Sequence, residues 1–222
     1  MRQLTFYCIG VALIALCPAA HATTFTFNTD PFAGTNVLNI PGRQIVGGED
    51  FLSFSIANDV YDLDSTVFGV GSSVHFANGL ANTLPTGGAN VIVLQNFDND
   101  ANPQTPFGAG NAADLIASRV TAPGPGFFIY FNQSLDLPRL VYSTDLSSSD
   151  ADLKILARML NLNGPNGRNA IPTFTAADFE ITTSARSAPE PSSVVMILPV
   201  LAACMYVLRR KRYLPSQTPP RP

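Results

Sequence analysis

The segment FFIYFNQSLDLPRLVYSTD, residues 127–145, contains the two clearest strand signals in the chain. Its halves, 127–133 and 139–145, are rich in aromatic and β-branched residues, which pack well on the half-buried surface of a β-sheet. The segment therefore predicts two β-strands and favours a protein built mainly from sheet.

Shorter runs of the same character precede this segment. Apolar and polar residues alternate in TFTFN (24–28) and DFLSFSIA (50–57), as they do in a strand with one buried face. VYDLDSTVFGV (60–70) continues in this way, and NVIVLQN (90–96) is a short β-branched run. These runs predict further strands of ordinary length.

Clusters of Gly, Pro and Asn punctuate the chain and supply the backbone angles that turns require. They are NIPGR (39–43), VGGED (46–50), LPTGGAN (84–90), TAPGPG (121–126) and NGPNGRN (163–169). Short strands separated by such turns predict an all-β fold, an antiparallel sandwich or jelly-roll-like domain with one or two short helices. Residues 112–120 favour a short helix. Residues 151–160 fit a helix or a strand, and we favour the strand.

The N-terminus has the parts of a secretory signal peptide. Arg2 precedes the apolar run Leu4–Leu16, and Ala20 and Ala22 stand at the two positions that signal peptidase recognises. We therefore predict that residues 1–22 are removed. The apolar run is too short for a good membrane span. A lipoprotein signal at Cys17 is disfavoured because the large Leu16 precedes it.

The predicted exported domain, residues 23–187, lacks the residue types that many catalytic and metal sites need. The three cysteines, Cys8, Cys17 and Cys204, all lie outside it, which excludes disulfides, a thiol nucleophile and thiolate metal ligands. Its one histidine, His75, would have to serve any Ser-His-Asp triad. We predict no catalytic residues, no metal site and no cofactor, so that the protein is not an enzyme.

Charge is distributed unevenly along the chain. Residues 23–189 contain seven basic and fifteen acidic residues, a formal net charge of −8. Nucleic-acid binding needs a basic surface that neutralises phosphates. The acidic domain therefore excludes nucleic acid as an expected partner and suits a soluble exported protein.

Two acidic clusters resemble parts of a calcium site. Residues 98–102 (DNDAN) place oxygen atoms at alternate positions, but Pro103 stands where a calcium loop needs Gly and Ala109 where it needs Glu. The second cluster consists of Asp59, Asp62 and Asp64. Solvated turns are favoured over a structural ion, although the ion stays an open alternative.

Two enzyme signatures are weaker still. Gly108–Ala113 fits a dinucleotide fingerprint in letters only, since no strand is predicted before it. Glu49 and Glu180 are the only glutamates of the domain, and neither has a recognisable glycosidase setting. A carboxyl pair acting on polysaccharide stays open as an alternative.

The C-terminus combines an apolar run with a basic cluster. Val194–Leu208 is uncharged and would span about 25 Å as a helix, slightly less than a bilayer's hydrocarbon layer. Basic residues mark the cytoplasmic end of a membrane span. The four that follow directly predict that this end lies inside the cell: Arg209, Arg210, Lys211 and Arg212.

Pro189, Glu190 and Pro191 precede that run, and the whole stretch 188–212 resembles the PEP-CTERM sorting signal of Gram-negative bacteria. The resemblance implies that an exosortase, a membrane protease, recognises the Pro-Glu-Pro motif and removes the tail. It further implies transfer of the protein to the cell surface or extracellular matrix. The helix differs from many family members in lacking glycine, and a Pro-rich tail, 213–222, follows the basic cluster.

The sequence thus predicts four parts: a signal peptide (1–22), an exported β-rich domain (23–187), a transmembrane sorting signal (188–212) and a disordered tail (213–222). The expected function is that of a non-enzymatic surface or matrix protein, associated with biofilm exopolysaccharide. Its expected partners are signal peptidase, exosortase, polysaccharide and, transiently, the membrane. The alternatives are a secreted hydrolase of matrix polysaccharide and a permanently anchored single-pass membrane protein.

Overall fold

The computed structural model describes residues 22–102 and 104–183. The predicted cleavage residue Ala20, the Pro189–Pro191 motif, the basic cluster 209–212 and the tail 213–222 lie outside the described residues. Within the described ranges, we find no helix with the length and apolar character needed to cross a bilayer.

The described residues form ten strands and three α-helices. The strands are β1 (Thr24–Phe27), β2 (Ile45–Val46), β3 (Asp50–Leu52), β4 (Val60–Asp64), β5 (Phe76–Gly79), β6 (Val91–Leu94), β7 (Gly126–Asn132), β8 (Leu137–Ser143), β9 (Leu153–Met159) and β10 (Phe179–Thr182). The helices are α1 (Ser65–Phe68), α2 (Ala109–Ala117) and α3 (Gly164–Ala170). Four short 3₁₀ turns lie at Val37–Asn39, Ala81–Thr83, Ile171–Thr173 and Ala176–Asp178.

These strands build two sheets. The smaller sheet has the order β1-β4-β10, and the larger has the order β2-β9-β8-β7-β6-β5, with β3 pairing beside β2 on the same edge of β9. The mainly β architecture with few short helices confirms the coarse prediction. The structure also confirms the strands predicted at 127–133, 139–145 and 151–160 and the helix predicted at 112–120.

The predicted antiparallel arrangement is wrong for most of the structure. Among the described strands, only β7-β8 and β8-β9 pair antiparallel, whereas the other six pairings are parallel. Alternation within a strand reveals its buried face but not the direction of its neighbour. Direction depends on the connections, and the one from β6 to β7 crosses over through α2, as parallel strands require.

Three local predictions also need correction. Residues 60–70 are not one strand, because the Asp64 carboxylate accepts hydrogen bonds from Thr66 N (2.8 Å) and Val67 N (3.1 Å) and so caps α1. The run 50–57 is strand only over Asp50–Leu52. NGPNGRN is not simply a turn but forms α3, with Pro in the first turn, where its missing N–H costs nothing.

Each face of the larger sheet covers its own hydrophobic core. Phe127, Ile129 and Phe131 of β7 join the first core, which also contains Tyr61 and Leu63 of the smaller sheet. The intervening Phe128 and Tyr130 join the second core beneath α2. All seven residues of β7 are buried, so this strand packs on both faces.

Gly167 of α3 makes the closest backbone approach to this framework. A Cβ atom there would lie 2.0 Å from the Leu162 carbonyl oxygen and 3.1 Å from the Phe131 ring. A rigid backbone atom cannot move aside as the end of a side chain can. Glycine is therefore required at this position by space.

We predict that Gly167→Ala lowers the free energy of unfolding by about 3 kcal/mol, because the added methyl overpacks α3 against 162 and β7. Gly71→Ala is the matched control, since a Cβ there meets nothing within 4 Å, and it should change stability by less than about 0.5 kcal/mol. Urea denaturation of the purified exported protein measures both. Equal losses in the two variants would contradict this account of α3 packing.

Candidate functional site

A row of four side chains crosses one face of the larger sheet. Tyr130 of β7 pairs with Arg139 of β8, Arg139 pairs with Arg158 of β9, and Arg158 pairs with Phe51 of β3. Directly paired residues point to the same face of a sheet. This cross-strand row therefore lies on the face that carries α2, with Tyr130 buried at one end and Phe51 exposed at the other.

Glu49 joins the two arginines of the row. One oxygen of its carboxylate, Oε1, accepts hydrogen bonds from Arg139 Nη2 and from Arg158 Nε. The Glu49 side chain is 6% exposed, and those of Arg139 and Arg158 are 13% and 28% exposed. Burial raises the pKa of Glu49, but a backbone hydrogen bond and the two guanidinium groups outweigh burial and lower it to about 2.

Two guanidinium groups share this one carboxylate. The three side chains therefore carry a net charge of +1, within a domain whose formal charge is strongly negative. Arg139 lies deeper, and its Nε atom is buried without a hydrogen-bond partner among the described residues. The surplus positive charge reaches solvent mainly at Arg158, the more exposed of the two.

The exposed end of the row combines an aromatic ring with a cation. Phe51 is 63% exposed, and the Arg158 guanidinium carbon lies 5.3 Å from the centre of its ring. Within the described ranges, the Arg158 side chain makes one hydrogen bond, from Nε to Glu49. Both of its terminal nitrogens are therefore free for a ligand. We call Phe51 and Arg158 the platform. An exposed aromatic ring with a cation over it can contact a ligand through both apolar stacking and hydrogen bonds.

A local irregularity of β9 determines where Arg158 points. Val141 pairs with Ile155 and Leu140 with Ala157, so Leu156 is an extra residue in a β-bulge. The bulge reverses the alternation of β9. Lys154 and Leu156 consequently line the first core's face, whereas Arg158 lies on the opposite face with the row.

A polar cleft of about 180 Å³ opens on that first face. Thr29, Asp30, Asp50 and Lys154 contribute polar groups to its lining, and Phe27 and Phe68 contribute apolar surface. Lys154 Nζ donates to the Gly47 carbonyl at 2.5 Å. Within the described ranges, neither aspartate forms an ion pair. Two carboxylates and an ammonium in one cleft can bind polar ligands or transfer protons.

His75 does not belong to either feature. It lies in an exposed turn just before β5, and its Nε2 is 3.1 Å from Ser73 Oγ. In the part of the chain that the structure describes, no carboxylate hydrogen-bonds to the other ring nitrogen. The third member of a Ser-His-Asp arrangement is thus missing among these residues.

The carboxylates of the predicted cluster Asp59, Asp62 and Asp64 accept hydrogen bonds from the protein itself. Asp59 accepts from Thr23 N and Ser55 N, while Asp62 accepts from the hydroxyls of Thr26 (3.2 Å) and Thr182 (2.6 Å) on the two neighbouring strands. These carboxylates tie the smaller sheet together. Asp64 caps α1, as described above.

The carboxylates of segment 98–102 form turns. Asp98 and Asp100 each accept a hydrogen bond from the backbone N–H two residues ahead. The Thr105 hydroxyl, at 2.6 Å, is the largest cause that lowers the pKa of Asp100. Over residues 22–102 and 104–183, no group of three His, Cys, Asp or Glu side chains is placed to hold a metal ion.

The sequence did not reveal the row, because Glu49 is 90 residues from Arg139 and 109 from Arg158. One signal was available: each arginine is a charged residue inside a strand whose other residues are mostly apolar. Such a residue needs a partner when the strand is buried. The identity of that partner follows only from the pairing of β3 with β9.

We predict that Glu49→Gln lowers stability at neutral pH by about 2 to 3 kcal/mol, since it removes a paired carboxylate whose pKa is lowered to about 2, part of the effect being screened by solvent. The folded-state pKa lies below the ordinary value of 4.5, so this stabilisation is present above pH 4.5 and is lost as the pH falls toward 2. The free energy of unfolding, measured by denaturation across that range, should therefore change less with pH for the variant than for the native protein.

Glu180→Gln is the control, because Glu180 is exposed and forms no salt bridge among the described residues. It should leave both the neutral stability and its acid dependence nearly unchanged. If both variants flatten the pH dependence equally, the pairing of Glu49 with the arginines is not its cause.

Comparison with known proteins finds no relative for this chain. No protein-family model, no curated protein and no solved structure matches it. What the protein does must therefore be inferred from its own sequence and geometry.

Proposed function

We propose that this chain is a non-enzymatic protein of the bacterial cell surface or extracellular matrix, exported through its signal peptide and sorted by its C-terminus. The observation that carries this proposal is the order of three features at the C-terminus. Pro189-Glu190-Pro191 is followed by the uncharged run Val194–Leu208 and then by the basic cluster 209–212. The export signal predicted at residues 1–22 supports this interpretation, because a surface-sorting signal acts on a chain that is exported.

The physical steps of this route follow from the chemistry of each segment. Signal peptidase removes 1–22 after Ala22, and the apolar run then holds the chain in the inner membrane with the basic cluster inside. Proline has a fixed φ angle and no N–H donor, and these properties suit a Pro-Glu-Pro sequence to the cleft of a protease. Cleavage there by an exosortase releases the domain to the surface or matrix.

In this proposal, the platform of the described domain binds polysaccharide. The exposed Phe51 ring offers an apolar face on which a sugar ring can stack, and the terminal nitrogens of Arg158 can donate hydrogen bonds to sugar oxygens. The platform is held by Glu49 and Arg139. A preorganised surface of this kind loses little conformational entropy when it binds a long polymer.

A second candidate function is hydrolysis of matrix polysaccharide, and the polar cleft is the observation that favours it. Asp30 and Asp50 line the same cleft, together with Lys154. A pair of carboxyl groups flanking one cleft is the arrangement that glycoside hydrolysis uses. The third candidate, a permanently anchored protein, differs from the first only in retaining its tail.

We predict that alanine substitution of Pro189, Glu190 and Pro191 together leaves the protein in the membrane fraction, because the sorting protease loses its recognition site. The intact mass of the native protein from producing cells should lack Arg209–Arg212. Alanine at Pro219 and Pro220 is the control and should not alter release. A native protein that keeps the basic cluster would instead be permanently anchored.

We predict that Phe51→Ala reduces binding to exopolysaccharide from producing cells by about tenfold or more, the usual effect of removing an aromatic anchor. Leu80→Ala is the control, since Leu80 is a large exposed apolar residue elsewhere on the surface. Co-sedimentation with the polymer measures both. Release of reducing sugar by the native protein but not by Asp50→Asn would instead favour the hydrolase.

A further inference from the structure

We infer that the platform selects acidic polysaccharide, with a sugar carboxylate bound by the two terminal nitrogens of Arg158. This inference rests on the proposed polysaccharide-binding function and names the ligand class of the same site. Its basis is the direction of the hydrogen bonds around Arg158 and the charge that they leave unbalanced.

Part of the Arg158 guanidinium has no hydrogen-bond partner among the described residues. Glu49 accepts from Nε, so the carboxylate contacts the inner side of the Arg158 side chain. The terminal nitrogens have no partner in the part of the chain that the structure describes. Two parallel N–H donors match the spacing of the two oxygens of a carboxylate, which makes such pairs strong and directional.

Glu49 is shared with Arg139, so it neutralises only one of the two guanidinium groups. The remaining positive charge lies at the edge of the sheet beside an exposed ring, where a ligand's negative charge would complete the pairing. The rest of the domain is strongly acidic. Its long-range repulsion of a polyanion is screened at physiological ionic strength, so attraction depends on direct contact with the platform and not on the charge of the surface as a whole.

The Phe51 ring leaves room for a sugar. The Arg158 guanidinium lies over this ring, with its central carbon 5.3 Å from the ring centre, and Phe51 is still 63% exposed, so a sugar ring can pack on the part that the guanidinium leaves uncovered. A uronic acid carries its carboxylate directly on the sugar ring, so one residue of the polymer can meet the ring and the cation together. A neutral sugar can stack on the ring and accept ordinary hydrogen bonds from Arg158, but it lacks the charge-assisted pair, and a polyanion without sugar rings lacks the stacking contact.

The test compares three polymers at one ionic strength, using the exported protein purified from cells. Polygalacturonate is the acidic polysaccharide, its carboxyl-reduced form is the matched neutral polymer, and poly-L-glutamate is a carboxylated polymer without sugar rings. We expect polygalacturonate to bind about tenfold tighter than either of the others, the effect of one charge-assisted contact.

Variants of Arg158 test the residue itself. Arg158→Gln should bind polygalacturonate and its reduced form equally, and Arg158→Lys should recover only part of the preference because it lacks the planar fork. Arg168→Gln is the control, because the Arg168 guanidinium carbon also lies over an aromatic ring, 5.0 Å from the centre of Phe131, but on the first core's face of the sheet, opposite the platform. Circular dichroism verifies that each variant is folded.

The outcomes separate the two levels of the argument. Equal binding of the acidic and reduced polymers by the native protein would overturn the selectivity and leave the polysaccharide function standing. Binding of neither polymer would overturn both. Poly-L-glutamate binding as tightly as polygalacturonate would show that charge alone is recognised, which also overturns the inference.

Discussion

Strand β7 packs against both hydrophobic cores, and this double burial constrains the position of nearly every other described element. Its odd-numbered residues from Phe127 to Phe131 face the smaller sheet, and Phe128 and Tyr130 face α2. A strand buried on both sides must have a layer on each face to exclude water. The parallel pairing of β6 with β7 and the crossover through α2 satisfy that requirement together.

The same constraint explains why charge gathers at one edge of the sheet. Tyr130 keeps its ring in the second core, while its hydroxyl accepts a hydrogen bond from Asn132 Nδ2 at 2.9 Å. Farther along the row, an arginine beside a buried strand would be costly without a counter-charge. Glu49 supplies that charge to two arginines at once. This arrangement favours the register in which β3 lies beside the end of β9, since another register would separate the charges.

Much of the fold could be predicted from the sequence, because strand formation depends on local patterns. Residues 127–133 and 139–145 show those patterns clearly, residues 151–160 fit a strand as well as a helix, and α2 follows from its helical spacing. Strand direction could not be predicted, since it depends on which distant strands become neighbours. The α3 helix could not be predicted, because its Gly and Pro content is typical of a turn. The reason for Gly167 is its close packing against Phe131, which the sequence does not show.

The candidate site lies between these two cases. Arg139 and Arg158 are conspicuous in the sequence, but their common partner depends on tertiary structure. The side of the sheet that each residue reaches depends on one extra residue, Leu156. In a regular strand, residues 154 and 158 would point the same way and place both cations on the face that carries the cleft. The bulge moves Arg158 to the other face, where it contacts Phe51 and Glu49.

The β9 bulge thus divides the basic groups between a cleft with two carboxylates and a platform with an exposed ring. The cleft leaves Lys154 near opposite charge, and the platform leaves a positive charge unbalanced, so an anionic ligand suits the platform better than the cleft.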